Sequence, residues 1–129
     1  MSVFSEFELA FLAEGGKLGR LATVDAQGQP HVVPVGWNYN SETDTIDIGG
    51  RDLTNTRKFR NVRDNNPQVA IVIDEVLPPW KPRCVQVRGI AEALDQATAP
   101  DGRPRGATIR IKPTKIVSWG LEPGDSGLR

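Results

Sequence analysis

The sequence is poor in most of the residues that announce a chemistry. A single cysteine, Cys84, in 129 residues excludes an internal disulfide and a Cys-rich zinc site. That scarcity suits a reducing, cytosolic compartment. A single histidine, His31, leaves a metal centre or a His-dependent nucleophile little to work with. It stands beside Pro30 in a strand pattern, without an evident Asp, Ser or Cys partner, and reads as structural. Charge of one sign is also lacking: 16 Lys and Arg balance 16 Asp and Glu, without the basic bias of a general nucleic-acid binder. No apolar run approaches the roughly 20 residues that span a bilayer. The opening "MSVFSEFELAFLAEGG" carries Glu6, Glu8 and Glu14 and no basic segment, so the expectation is no signal peptide and a cytoplasmic location. Ser118 and Cys84 lack a nucleophile-elbow context, and Asp44, Asp47 and Asp74 are dispersed, so no acid/base pair is indicated. An enzyme built this way relies on a bound cofactor.

What is present is punctuated strand pattern. Length suits one domain over residues 1–129, with a tail from about 121 to 129. Ser5–Glu14 reads as an amphipathic helix, with Ser5 and Glu8 as a capping box, Phe4, Phe7 and Phe11 at helical spacing, and Gly15-Gly16 as its stop. Strands follow at 18–25, 30–39 and 45–50 in a meander. After a helical segment come strands at 68–76 and 83–95, where Gly89 marks a bulge or a close approach. A polar loop, "QATAPDGRPRGA" (96–107), leads to "TIRIKP" and "KIVSWG", one broken strand or two short ones. About six strands joined by hairpins favour a mainly β, antiparallel barrel. Its exposed edges call for a cover, which a homodimer provides.

The helical segment "TNTRKFRNVRDNNP" (54–67) gathers Arg57, Lys58, Arg60 and Arg63 in a neutral chain. Leu53, Phe59 and Val62 share one face, and Arg57, Lys58 and Asn61 another. Asp52 or Thr54 is the expected cap. Two readings stand: a solvated amphipathic face, or a phosphate site made from first-turn amides, Arg57 and Lys58. Trp37, Trp80 and Trp119 are packing residues unless a planar ligand is bound, and Trp119 is best placed for one.

The order "GRLATVDAQGQPHVVPVGWNYN…TIDIGG…TRKFRNVRDNNPQVAIVID…VQVRGIAEAL…PTKIVSWG" resembles the flavin/deazaflavin oxidoreductase family over nearly all of residues 3–120. These are split β-barrel proteins related to pyridoxamine 5′-phosphate oxidase. The chain is most similar to the short subgroup that uses coenzyme F420. The resemblance implies a homodimer with two cofactor sites at the subunit interface. It implies a floor under the ring from Val33, Pro34, Val35, Gly36, Ile48, Gly49 and Gly50. Lys58 and Asn61, with Arg57 beside them, fall on the motif that binds the cofactor phosphate. Trp119 matches a tryptophan that approaches the ring from the partner subunit. The implied activity is hydride transfer between reduced F420 and a small organic acceptor. The alternatives are a non-catalytic F420 carrier, an FMN-binding reductase or redox sensor, and a barrel whose basic helix binds a protein or nucleic acid.

Two departures matter. The oxidases carry a glutamine, in "RQV", on the FMN phosphate; "RCV" here puts Cys84 in its place, with Gln86 two residues on. Larger F420-binding relatives insert helices where this chain has only 96–107, which leaves a more open pocket and an unassigned substrate. The oxidases' C-terminal arginine motif is missing, which argues against a vitamin B6 role.

Overall fold

Alternation of apolar side chains builds the sheet. In the computed structural model, which describes residues 1–99 and 101–125, β1 (Gly19–Val24) turns Leu21 inward and β5 (Gln68–Leu77) turns Val69, Ile71 and Ile73 inward. β6 (Lys81–Thr98) contributes Val85 and Val87, and β7 (Pro104–Trp119) contributes Ile109 and Ile111. Register aligns these residues: Leu21 lies opposite Ile71, Ile71 opposite Val87, and Ile48 of β4 (Thr45–Ile48) opposite Ile109. Side chains at alternate positions therefore stack into one core, the main source of stability in such a sheet. Phe4, Phe11 and Leu12 close it from the N-terminal side, and Leu53, Phe59 and Val62 from the helical segment. Phe7 lies on the exposed side of its helix and is not part of that core.

Seven strands form a single antiparallel sheet in the order β2-β1-β5-β6-β7-β4-β3, rather than the expected six. The difference lies at 30–39, which divides into β2 (Pro30–Val35) and β3 (Asn38–Asn40). β2 pairs with β1 and β3 with β4, at opposite edges of the sheet. The chain thus crosses from one edge to the other through Gly36 and Trp37, and one continuous strand cannot lie in both places. The two edges stay unpaired with each other, which leaves the barrel split.

β6 and β7 also run further than expected. They pair out to Ala97–Gly106 and Thr98–Pro104, so most of 96–107 is a solvent-exposed ribbon rather than a loop. "TIRIKP" and "KIVSWG" belong to one strand. The register shifts beside Gly89, which lies opposite Pro113, so the bulge expected there is present. The shift accommodates a proline that cannot donate to the ladder.

α1 (Glu6–Glu14) closes one end of the barrel. Ser5 and Glu8 form the expected capping box: Glu8 N donates to Ser5 Oγ at 3.1 Å, and Ser5 N donates to Glu8 Oε1 at 2.7 Å. Gly15, at a φ of 67°, ends the helix in a conformation that a side chain would strain. The buried Glu8 also accepts from Ser118 Oγ at 2.6 Å, which ties α1 to β7. Of the tail expected from residue 121, residues 126–129 lie outside the described residues.

Candidate functional site: an open strand edge and two unpaired cations

The residues expected to form a floor divide into exposed and buried ones. Val33 and Pro34 are exposed on β2, and Val32 is 66% exposed. Val35 and Ile48 are buried in the core, so they can offer a ligand only their backbone. Gly36, Gly49 and Gly50 are exposed, and a Cβ on any of them would meet nothing within 4 Å. Asn38 lies opposite Asp47 in the β3–β4 hairpin, which brings 36–37 and 48–50 to the same end of it. β2 is an edge strand, so the backbone groups on its outer side have no strand partner, and Pro30 and Pro34 bring no N–H to it. The result is an open backbone surface with room for a flat ring.

The chain then turns through Asp52, at a φ of 59°, into a short 3₁₀ turn (Leu53–Asn55) and α2 (Arg57–Arg60), which continues as a π-helical turn (Asn61–Asn65). The cap is Thr56, not Asp52 or Thr54. Its hydroxyl accepts from Phe59 N at 3.3 Å and donates to Leu53 O at 2.6 Å. Asp52 instead accepts from Asn55 Nδ2 at 3.2 Å. Asn55 N and Thr56 N donate to Asp52 O and Leu53 O, both at 3.0 Å, so of the first-turn amides those of Arg57 and Lys58 are the ones left for an anion.

The four cations of the segment divide into three kinds. Arg63 forms a fork with the neighbouring Asp64, at 2.8 and 2.9 Å, and lies over the Phe59 ring. Arg60 donates to the Asn55 carbonyl at 2.9 Å. Arg57 is exposed and Lys58 half-buried, and among the described residues neither has an ion-pair partner. Asn61 behaves differently from its neighbours. It is 2% exposed, its Nδ2 donates to Thr23 Oγ1 at 3.0 Å, and its Oδ1 accepts from Asn65 at 3.3 Å. Helical spacing places Asn61 beside Arg57 and Lys58; in the fold Asn61 lines one hollow with Arg57 and Arg60, without Lys58, while its amide faces β1.

The remaining candidates find structural partners. His31 does have an acidic neighbour, across the β1–β2 turn: its Nε2 lies 2.9 Å from Asp25 Oδ2. That hydrogen bond, then the amides of Gln29 and Gln27, holds the Asp25 carboxyl below the usual carboxylate range. Asp44 accepts from Ser2, Val3 N and Tyr39, and Asp74 pairs with Arg20. Asp47 is buried. Its carboxylate receives Arg110 through Nε and Nη2, both at 3.1 Å, Asn40 at 3.1 Å and Thr45 at 2.8 Å. Burial pushes its pKa up, but these donors outweigh burial and the net shift is downward. Among the described residues no group of His, Cys, Asp and Glu could hold a metal. Trp80 is largely exposed, whereas Trp119 is half-buried opposite Cys84 on the β6–β7 ladder. Cys84 is itself buried, with Gln86 half-buried two positions along the same face.

Residues 6–120 match the family model described as pyridoxamine 5′-phosphate oxidase. The chain belongs to this family. A curated family relative, the 5a,11a-dehydrotetracycline/5a,11a-dehydrooxytetracycline reductase of Streptomyces rimosus, is 45% identical over 123 residues, 92% of this chain and 84% of the relative. Two solved structures share the fold. A conserved hypothetical protein of Mycobacterium tuberculosis superposes with a TM-score of 0.68 at 21% identity, over 92% of this chain and 86% of its own. A protein described as an F420 reductase superposes at 0.62 with 24% identity, over 89% and 98%. The family was legible in the order of the sequence motifs. The inward turn of Asn61 and the Asp47–Arg110 pair were not, because each depends on a partner distant in sequence.

Proposed function

We propose that the protein is an oxidoreductase that uses coenzyme F420 to deliver a hydride to an activated double bond of an organic acceptor. The observation that carries this reading is the pair of uncompensated cations, Arg57 and Lys58, following the open backbone of Gly49 and Gly50. Two unpaired cations and first-turn amides suit a phosphate group. The exposed glycines and the unpaired edge of β2 suit a planar heterocycle needing backbone hydrogen bonds. These features fit a phosphate-bearing flavin or deazaflavin. The named activity of the Streptomyces relative supports reduction as the reaction and a fused-ring compound as the acceptor class. The F420 reductase with the same fold supports the deazaflavin.

Bound reduced F420 supplies the hydride. The chain's part is to bind and orient. Arg57 and Lys58 hold the phosphate, and the outward amides of β2 with Gly49 and Gly50 fix the ring plane. Asn61 holds the helix against β1 and lines the same hollow as Arg57. The balancing proton comes from water. FMN is the alternative cofactor, and Cys84 weighs against it: where the oxidases offer FMN an amide, this chain has a buried thiol. Two copies complete the site in this reading. The outer face of β1 and β5 carries a hollow of about 390 Å³ walled by Ala22, Val24, Ala70 and Ile90, which suits a second copy, with Trp119 reaching the partner's ring.

Titration of the purified protein with F420 and with FMN, followed by fluorescence and absorbance, tests the cofactor. Micromolar or tighter binding of F420 and not FMN is expected, and binding of neither ends the reading. Single-turnover oxidation of bound reduced F420 by 5a,11a-dehydrotetracycline then separates an enzyme from a carrier.

A further inference from the structure

A second cavity lies across Trp37 from the edge just described. It is a cleft of about 530 Å³ between the C-terminal half of α1, the Gly15–Lys17 turn and β3. We propose that this cleft seats the rings of a neutral, fused-ring acceptor; the proposal rests on the reductase reading above.

Chemistry of the walls selects that class. Leu9, Leu12, Ala13 and the rings of Trp37 and Tyr39 make the cleft mainly apolar. Its polar groups are already engaged elsewhere. Lys17 Nζ pairs with Glu14 at 3.1 Å and Glu75 at 3.8 Å. Tyr39 Oη donates to Asp44 at 2.6 Å, and Trp37 Nε1 donates to the Lys17 carbonyl at 2.9 Å. A phosphate or carboxylate would find no free cation in these walls, whereas a flat apolar ring finds aromatic faces and methyl groups.

Position relates the cleft to the cofactor edge. Trp37 is the residue after Gly36, so one side chain walls the cleft while the backbone before it offers the open surface. The ring is held there by its bond to Lys17 and by Gly19, where an added Cβ would sit 3.1 Å from Trp37 Cδ1. The ring-binding wall and the backbone that would carry the cofactor ring are thereby adjacent along a fixed piece of chain.

The test uses 5a,11a-dehydrotetracycline as probe on the full chain, with and without F420. In ¹⁵N spectra, the probe should shift the Trp37 indole resonance and leave Trp80 in place. Ala13 is exposed on the cleft wall, so Ala13→Trp fills the space without disturbing the core. It should weaken probe binding about tenfold or more, with F420 affinity within twofold and the melting temperature unchanged. Ala13→Phe should give a smaller loss in the same direction. The proposal is overturned if Ala13→Trp binds the probe like wild type, or if the wild type binds it without moving Trp37. It is also overturned if the probe fails to bind in either state, or if Ala13→Trp changes the oligomeric state, which would make the cleft an interface between copies. Loss of F420 binding with an intact Trp37 response would sink the cofactor assignment and leave the cleft standing.

Discussion

Asn61 donates its side-chain amide to the hydroxyl of Thr23 at 3.0 Å, and both side chains are buried. This bond fastens the basic helical segment to β1. Asn61→Ala leaves the Thr23 hydroxyl without its donor, at a cost of about 1–3 kcal/mol. Urea unfolding should show the midpoint falling at constant slope. If stability is unchanged and cofactor affinity alone collapses, Asn61 is a ligand and not a brace.

Lys58→Ala should behave in the opposite way. The side chain has no ion-pair partner among the described residues to lose, so the melting temperature should stay within about a degree or two of wild type. F420 affinity should fall by about 1.5–3 kcal/mol, as for a lost hydrogen bond to a charged group. Isothermal titration reads both affinities, and an unchanged Kd with an intact fold would remove Lys58 from the phosphate site.

Asp47 sets an acid limit on stability. Its folded pKa lies below the ordinary value of 3.8, because Arg110, Asn40 and Thr45 together outweigh burial. A depressed carboxyl pKa stabilises the fold fully above the unfolded value, and the contribution is lost as pH falls through the folded one. Melting temperature should therefore drop below about pH 4. Asp47→Asn should cost about 1–3 kcal/mol near neutrality, because the half-buried Arg110 loses its anion. The variant should also show a shallower acid limb, and an acid limb as steep as wild type would assign the effect to other carboxyls.

Gly89 tests the centre of the long ribbon. A Cβ there would run into the Lys112 carbonyl oxygen and stand 2.8 Å from Ile111 Cγ2. Backbone on the facing strand cannot move aside as a flexible side chain can. Gly89→Ala should destabilise by about 2–3 kcal/mol, whereas Gly28→Ala, in the open β1–β2 turn, should cost only the strain of its positive φ of 83°. Thermal melts of the two variants give the comparison.

These residues show where the sequence was readable. Gly89, the Ser5–Glu8 box and the Leu53, Phe59 and Val62 face were legible because each signal is local: a period, a cap, a missing side chain. The division of 30–39 was not, since an unbroken Val-rich run hides the fact that its halves pair at opposite edges of the sheet. The length of β6 and β7 was hidden for a related reason. A ribbon that is mostly exposed is free to be polar, so "QATAPDGRPRGA" looks like a loop. At the site, charge and glycine were visible, but the direction of Asn61 and the partners of His31 and Asp47 depended on pairing across the fold.

The bond between Glu8 and Ser118 joins residues 110 positions apart. A chain is synthesised N-terminus first, at about 5–20 residues per second. α1 therefore emerges well before its anchor, which lies 110 residues further along the chain. Until β7 has left the ribosome, Phe11 and Leu12 have no completed barrel to close, and the helix waits with its apolar side uncovered. Docking of the first element is thus a late event in assembly. A nascent chain stalled before Ser118 would hold a sticky, unsealed end for as long as the stall lasts.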